Sequence, residues 1–153
     1  MKLSFWAIAK TDEPYLVQGI DQYCKRLTHY LPFEYRELKI KKAANPSLSL
    51  KAETEEILKG IKPTDCLILL DDKGKQFNSE GFADFLQKRF NEVQGNIVFV
   101  AGGAFGFSEE VYSRANFKLS LSALTFTHQM VRLIFLEQLY RGMTILKGEG
   151  YHH

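Results

Sequence analysis

Residues 97–106 read IVFVAGGAFG, in which an apolar segment from Ile97 to Ala101 leads directly into a glycine-rich turn. A short apolar run that is bounded by a turn is typical of a strand buried on both faces of a sheet. The runs Leu3–Ala9 and Cys66–Leu70 have the same character. Because strands that are covered on both faces belong mainly to parallel sheets, these runs predict a mostly parallel sheet at the centre of the fold.

Helical patterns alternate with the apolar runs along the chain. Between the runs, apolar residues recur every three or four positions, and Asn78 and Ser108 are suitable N-caps. This alternation predicts an α/β domain with helices on both faces of the sheet. The segment Phe33–Ile40 mixes apolar and charged residues and is expected to be an edge strand, whereas Lys41–Leu50, with its Asn-Pro-Ser sequence, is expected to be a mobile loop. The predicted helices cover about 15–30, 51–61, 78–93, 108 onwards and 128–142, and a fifth strand covers 118–121.

Length and composition limit the class of protein. A chain of 153 residues, 45% of them apolar, is long enough for one compact domain with a core. Its net charge of +2 excludes a uniformly basic protein that coats nucleic acid, so any contact with RNA has to come from local patches. Cys24 and Cys66 lack CxxC spacing, which favours free thiols in a reducing compartment over a metal site. The sequence has no signal-peptide cleavage site and no stretch that could span a membrane, and we expect a soluble, cytoplasmic protein.

Three segments that follow predicted strands are unusual in composition: LDDKGK at 70–75, AGGAFG at 101–106 and LSALTFTH at 121–128. In an open parallel sheet, ligands bind beyond the carboxyl ends of the strands, so these segments form the candidate site. The glycine turn alone is a weak signal, because Ala101 stands where a dinucleotide-binding motif has its first glycine and no acid follows the next strand. Segment 121–128 is small and apolar where a solvated loop is expected, so it either continues the core or packs on a flat ring such as adenine.

The last predicted helix is apolar nearly all round, which indicates that it is buried on more than one side. We interpret this pattern as a dimer interface, since few helices of a small monomer are covered so completely. Two pairs of polar residues have helical i,i+4 spacing, His128 with Arg132 and Glu137 with Arg141. Such pairs are either surface salt bridges or functional groups, and charges on an apolar helix are costly unless they are used.

The segments LDDKGK, AGGAFG, LSALTFTHQMVR and EQLYRG and the terminal YHH occur in the order, and at about the spacing, of the ribosomal RNA large subunit methyltransferase H family. The chain resembles this family over its whole length. The resemblance implies one SPOUT methyltransferase domain over residues 1–153, with a trefoil knot in the C-terminal half that ordinary fold rules disfavour. It also implies a homodimer that uses S-adenosylmethionine, and no metal ion, to methylate N3 of a pseudouridine in large-subunit ribosomal RNA, within the ribosome.

By motif position, the resemblance also implies the functional residues. The cofactor would be held by Leu70, by Gly102 and by the loop made of Leu121, Ser122, Ala123, Leu124, Thr125 and Phe126. The polar residues of the site would be His128, Arg132, Glu137, Arg141, Tyr151 and His152. Because the N3–H of pseudouridine is only weakly acidic, either His152 or His128 would accept or relay its proton, since histidine titrates nearest to neutral pH. Arg132 or Arg141 would stabilise the developing negative charge. The glycines of the last six residues predict a flexible tail.

Two other classes of function use parts of the same sequence. A non-enzymatic RNA-binding or ribosome-assembly module would contact phosphates through Lys39-Ile40-Lys41-Lys42 and through Lys73 and Lys75. A nucleotide-dependent oxidoreductase is disfavoured by the missing acid after the fifth strand. Binding of S-adenosylmethionine, of NAD or of neither distinguishes the three classes.

Overall fold

The structure is a computed structural model that describes residues 1–41 and 43–153. Over these residues the chain forms five strands and five helices that alternate strictly. None of the helices in this part of the chain is long and apolar enough to cross a membrane. In chain order the elements are β1 (Leu3–Ile8), α1 (Pro14–Leu27), β2 (Phe33–Leu38), α2 (Pro46–Lys59), β3 (Cys66–Gln76), α3 (Ser79–Glu92), β4 (Ile97–Ala101), α4 (Glu109–Arg114), β5 (Phe117–Ser120) and α5 (Met130–Leu146).

The strands form one sheet in the order β2-β1-β4-β3-β5, and every neighbouring pair is parallel. The prediction of an α/β fold around a parallel sheet is therefore confirmed. Every residue of β1 and β4 is buried, as the apolar sequences predict, and β2 lies at an edge with a mixed pattern of exposure. The strand order places the carboxyl ends of β4, β3 and β5 side by side.

Helices cover both faces of this sheet. On one face, α1, α3 and α5 pack around Phe5, Phe99 and Phe135, which are fully buried. On the opposite face, α2 and α4 contribute Ile57 and Val111 to a second core. Coverage of both faces is the reason that the central strands carry continuous apolar runs.

Helix α2 begins inside the segment Lys41–Leu50, which the sequence predicts to be a mobile loop. The Asn45 side chain accepts a hydrogen bond from the Leu48 N–H at 2.9 Å, and Pro46 is the first helical residue. The loop prediction is therefore wrong from Pro46 onwards, because Asn-Pro-Ser here caps and starts a helix instead of making a turn. Lys42, the last residue of the predicted basic run, lies outside the described residues.

Much of the apolar surface of α5 is covered within its own chain. Phe135 is fully buried in the core, the Leu133 side chain packs on Gly19 of α1, and Gly142 lies against Leu86 of α3. The sheet and two neighbouring helices account for part of the all-round apolar pattern, but Leu133 and Ile134 stay partly exposed, so the interpretation of this helix as a dimer interface stays a prediction. A charge at Phe135 would unfold the chain and would not merely separate subunits.

Candidate active site

A cavity of about 630 Å³ opens at the carboxyl ends of β3, β4 and β5. This volume is in the range of sites for small organic ligands. Parallel strands bring their carboxyl ends to the same end of a sheet, so the three segments that are unusual in the sequence meet here. The lining residues are 70–72, 101–104, 106, 107, 112, 119–122, 124–128 and 131.

The glycine turn after β4 forms one wall of the cavity. The Gly106 N–H donates to the Gly103 carbonyl at 3.2 Å, and Gly106 has a φ of +70°, which favours glycine. A Cβ atom at Gly102 would lie 3.1 Å from Cζ of Phe107 and 3.3 Å from the Gly106 carbonyl oxygen. A side chain at position 102 would therefore push the aromatic ring or the turn out of place. The shape of this wall depends on glycine at that position.

The loop after β5 forms another wall. Five of its six predicted cofactor residues line the cavity, and Ala123 does not. The Ser122 hydroxyl accepts a hydrogen bond from the Leu124 N–H at 2.9 Å, and the Ser120 hydroxyl donates to the Ser122 carbonyl at 3.0 Å. Leu121 packs against the core, but Leu124 is 76% exposed, so the interpretation that the whole segment merely continues the core is wrong. An exposed apolar loop beside a cavity is a surface that a ligand or a partner covers.

A carboxylate and a phenol to which the sequence gives no role also line the cavity. Strand β3 continues to Gln76, beyond its predicted end at Leu70, after a shift of register. The Asp71 carboxylate accepts hydrogen bonds from the Tyr112 hydroxyl and the Lys73 N–H. Burial alone would raise the pKa of Asp71, but these hydrogen bonds outweigh it and lower that pKa. Burial and the neighbouring carboxylate raise the pKa of Tyr112 to about 12. Asp71 is therefore a fixed negative charge. The two adjacent acids of LDDKGK could have indicated a role for Asp71, whereas nothing in the sequence around Tyr112 indicates one.

Arg132 does not line the cavity. Its side chain is 1% exposed, and its guanidinium donates to the Ile8 carbonyl at 2.6 Å and to the Ala9 carbonyl and the Thr11 hydroxyl at 2.8 Å. Its Nε donates to the His128 carbonyl at 3.1 Å, so the i,i+4 pair is not formed between the two side chains. These bonds hold the end of β1, where Ala9 has a φ of +66° that is unusual for a residue with a side chain. The geometry therefore gives Arg132 a structural role.

Arg132→Met is expected to lower the free energy of unfolding by about 3–5 kcal/mol, because it leaves buried carbonyl oxygens without donors and removes the ion pair with Glu37. The control is the same substitution at Arg36, an exposed residue stacked on Trp6, which should cost about 1 kcal/mol or less. Urea unfolding followed by circular dichroism measures both. Similar losses of unfolding free energy at the two positions would contradict the structural role of Arg132.

His128 lines the cavity, and the remaining four polar candidates form a separate cluster on α5 and the tail. Arg141 donates to Oε1 of Glu137 at 2.6 Å, and its second terminal nitrogen is 3.1 Å from Nδ1 of His152. The Tyr151 hydroxyl donates to the same Glu137 oxygen at 3.1 Å, and Nε2 of His152 lies 3.1 Å from a carboxylate oxygen of Glu80. The prediction of a flexible tail is therefore wrong, because these side chains dock it on its own chain. None of the four lines the cavity.

The fold and the cavity together define an α/β protein that binds a small ligand at the carboxyl ends of adjacent parallel strands. The same fold occurs in "The structure of a probable methylase family protein from Haemophilus influenzae Rd KW20", with a TM-score of 0.53 and 12% sequence identity over 99% of this chain and 70% of that chain. The family model described as "Predicted SPOUT methyltransferase" matches residues 1–152. The chain therefore belongs to the SPOUT methyltransferase family and is an enzyme.

Relatives within this family match the chain from end to end. The ribosomal RNA large subunit methyltransferase H of Cytophaga hutchinsonii is 54% identical, and the alignment covers 100% of both proteins. A protein of the same name from Parabacteroides distasonis is 49% identical over 100% of this chain and 99% of its own length. A third, from Trichlorobacter lovleyi, is 45% identical over 100% of both. These alignments leave no part of the chain without a counterpart.

The cavity fits the cofactor of SPOUT methyltransferases, S-adenosylmethionine, whose positively charged sulfonium supplies an activated methyl group. The exposed Leu124 side chain offers an apolar surface to the adenine ring, and the backbone of the same loop offers partners for the edge of the ring. Asp71 places a negative charge beside a ligand that carries a positive one. The residues present therefore suit this group in shape, polarity and charge.

Proposed function

We propose that the chain methylates N3 of a pseudouridine in large-subunit ribosomal RNA, with S-adenosylmethionine as methyl donor. The observation that carries the proposal is a ligand cavity at the ends of β3, β4 and β5 in a chain whose full-length relatives bear the name ribosomal RNA large subunit methyltransferase H. Residues 1–153 act as one domain, with a trefoil knot in its C-terminal half. Because the substrate belongs to the ribosome, the reaction takes place in the cytoplasm.

The cofactor would lie between the ends of β3 and β4 and the loop after β5. Leu70 and Gly102 line the cavity from the first two strands. The loop supplies backbone hydrogen bonds and apolar contacts through Leu121, Ser122, Leu124, Thr125 and Phe126, with Ala123 completing its backbone.

Methyl transfer requires the nucleophile to be aligned with the donor and to lose its N3 proton. His128 lines the cavity and is exposed, so it can reach a base that enters there. His152 is the other candidate to accept the proton, and Arg141, held by Glu137, can stabilise the negative charge that develops. Arg132 would act by positioning, because its guanidinium is buried and donates to the carbonyls of Ile8 and Ala9 at the end of β1.

The cluster of Glu137, Arg141, Tyr151 and His152 would serve the cavity of a second subunit. Arg141 lies ten residues beyond the cavity residue Val131 along α5, a rise of about 15 Å, so it is far from a ligand in its own cavity. A two-fold dimer can bring the cluster of one chain to the cavity of the other. Leu124 and Tyr15, which are 76% and 59% exposed, offer apolar surface to such an interface.

Incubation with labelled S-adenosylmethionine and ribosomal RNA from cells that lack the protein tests this function. We expect label in one large-subunit pseudouridine, which mass mapping locates. Free RNA and assembled subunits are tested separately, and label in one of the two is sufficient. The control is RNA from wild-type cells, which should accept little label because its target is already methylated. RNA binding without binding of S-adenosylmethionine would favour the non-enzymatic module, and binding of NAD alone would favour the oxidoreductase.

A further inference from the structure

A buried carboxyl lies behind the glycine turn. Glu53 of α2 is 5% exposed, and its Oε2 receives no hydrogen bond from the described residues. Next to Glu53, the Thr54 hydroxyl donates to the Ser108 hydroxyl at 2.7 Å and so ties α2 to the start of α4. A buried carboxyl without a donor is costly, and its presence in a folded protein calls for a physical explanation.

The backbone of Gly103 lies between this carboxyl and the cavity. A Cβ atom at Gly103 would lie 2.3 Å from Oε1 of Glu53, and Gly103 itself lines the cavity. The crevice around the carboxyl contains no other titratable side chain among the described residues, and apart from two hydroxyls its walls are backbone and apolar groups. They are Ile8, Leu50, Thr54, Ile57, Gly102, Gly106, Phe107, Ser108 and Val111. In such surroundings a negative charge acts over several ångströms with little screening.

The charges at the cavity favour a cation. Asp71 and Asp72 line it, and no lysine or arginine of the described residues does. Burial raises the pKa of Glu53, and a cation bound in the cavity would stabilise the ionised carboxylate. S-adenosylmethionine is positively charged at sulfur, and S-adenosylhomocysteine, the product, is neutral there. The Glu53 carboxylate is therefore attracted to the positive charge of the donor, and this attraction is lost once the methyl group has been transferred.

We propose that Glu53 is a specificity-determining residue that makes the cavity prefer the cationic sulfonium donor over the neutral thioether product. This inference rests on the proposed function, since it takes the cavity to be the cofactor site. It goes further in assigning discrimination between donor and product to a residue that lies outside the cavity lining, on the far side of a glycine.

The test compares the affinities of three probes in the full-length protein. Isothermal calorimetry measures the binding of S-adenosylmethionine, S-adenosylhomocysteine and sinefungin, which carries a cationic amine in place of the sulfonium. The proteins are the wild type, Glu53→Gln and Glu55→Gln. Glu55 is an exposed residue of the same helix and serves as the matched control. We expect Glu53→Gln to weaken both cationic ligands about tenfold, or about 1.4 kcal/mol, and the neutral ligand less than roughly twofold. Glu55→Gln should change none of the three.

The pattern across the ligands decides the outcome. An equal loss for all three would mean that Glu53 only supports the turn, and no loss would mean that its charge does not reach the ligand; either result overturns the inference and leaves the proposed function intact. If the wild type bound none of the ligands, the proposed function would fail as well. Glutamine has nearly the shape of glutamate, and unchanged circular dichroism would exclude misfolding as the cause of a loss.

Discussion

Gly102→Val is expected to abolish detectable binding of S-adenosylmethionine while the chain keeps its fold. The Cβ atom alone would lie 3.1 Å from Cζ of Phe107 and 3.3 Å from the carbonyl oxygen of Gly106, both of which belong to the cavity wall. The two further methyl groups of valine have to displace that ring or the turn. We expect affinity to fall at least about 100-fold, or about 2.8 kcal/mol, as measured by calorimetry.

Gly102→Ala is the graded control for this prediction. It adds the Cβ atom without the branch, so a shift of a few tenths of an ångström in Phe107 can accommodate it, and we expect a loss of about tenfold. Thermal unfolding of both variants checks that the fold is retained. Wild-type affinity in Gly102→Val would remove this glycine from the cofactor site.

The sheet and the position of the cavity could be predicted because both follow from local patterns. Buried strands are recognisable from short apolar runs, as at Cys66–Leu70 and Ile97–Ala101, and parallel strands place their following segments at one end of the sheet. The meeting of LDDKGK, AGGAFG and LSALTFTH at one cavity therefore required no knowledge of long-range contacts.

Arg132 and Glu53 show what local patterns miss. On the sequence, Arg132 is a charge on an apolar helix, yet its acceptors at Ile8 and Ala9 lie more than 100 residues away. Glu53 belongs to a charged helical segment, yet it is buried, and its carboxyl packs against the bare backbone of Gly103, fifty residues later. Burial of a charged group depends on partners that are distant in the chain, and periodicity carries no information about them.

Removal of Tyr151–His153 is expected to reduce methyl transfer by about 100-fold or more, because it removes a candidate for proton transfer and the docking residue next to it. Affinity for S-adenosylmethionine should remain within roughly twofold, since the proposed cofactor contacts come from the cavity walls and not from the tail. Removal of Tyr151 also deletes its ring contact with Tyr140 and its hydrogen bond to Glu137, which should lower the free energy of unfolding by about 1–2 kcal/mol.

Point substitutions separate the chemistry of the tail from its docking. His152→Gln keeps Tyr151 and its contacts, so it should retain stability and still lose activity if the histidine handles a proton. His153→Ala is the control, because His153 is exposed and makes no hydrogen bond within the described residues, and it should behave as the wild type. Full activity in His152→Gln would leave His128 as the group that accepts the proton.

Mixed dimers decide whether the tail acts across a subunit interface. One subunit lacks Tyr151–His153 and keeps an intact cavity, and the other carries Gly102→Val and keeps an intact tail; each is inactive as a homodimer by the two predictions above. If the tail serves the partner's cavity, the intact tail meets the intact cavity in one of the two sites, and the heterodimer should recover about half of wild-type activity. If the tail serves its own chain, every site lacks either a tail or a cofactor, and no activity returns. The measurement is methyl transfer by heterodimers isolated through two different affinity tags, with their composition verified by native mass spectrometry. A monomer under these conditions, or a verified heterodimer without activity, would exclude the composite site.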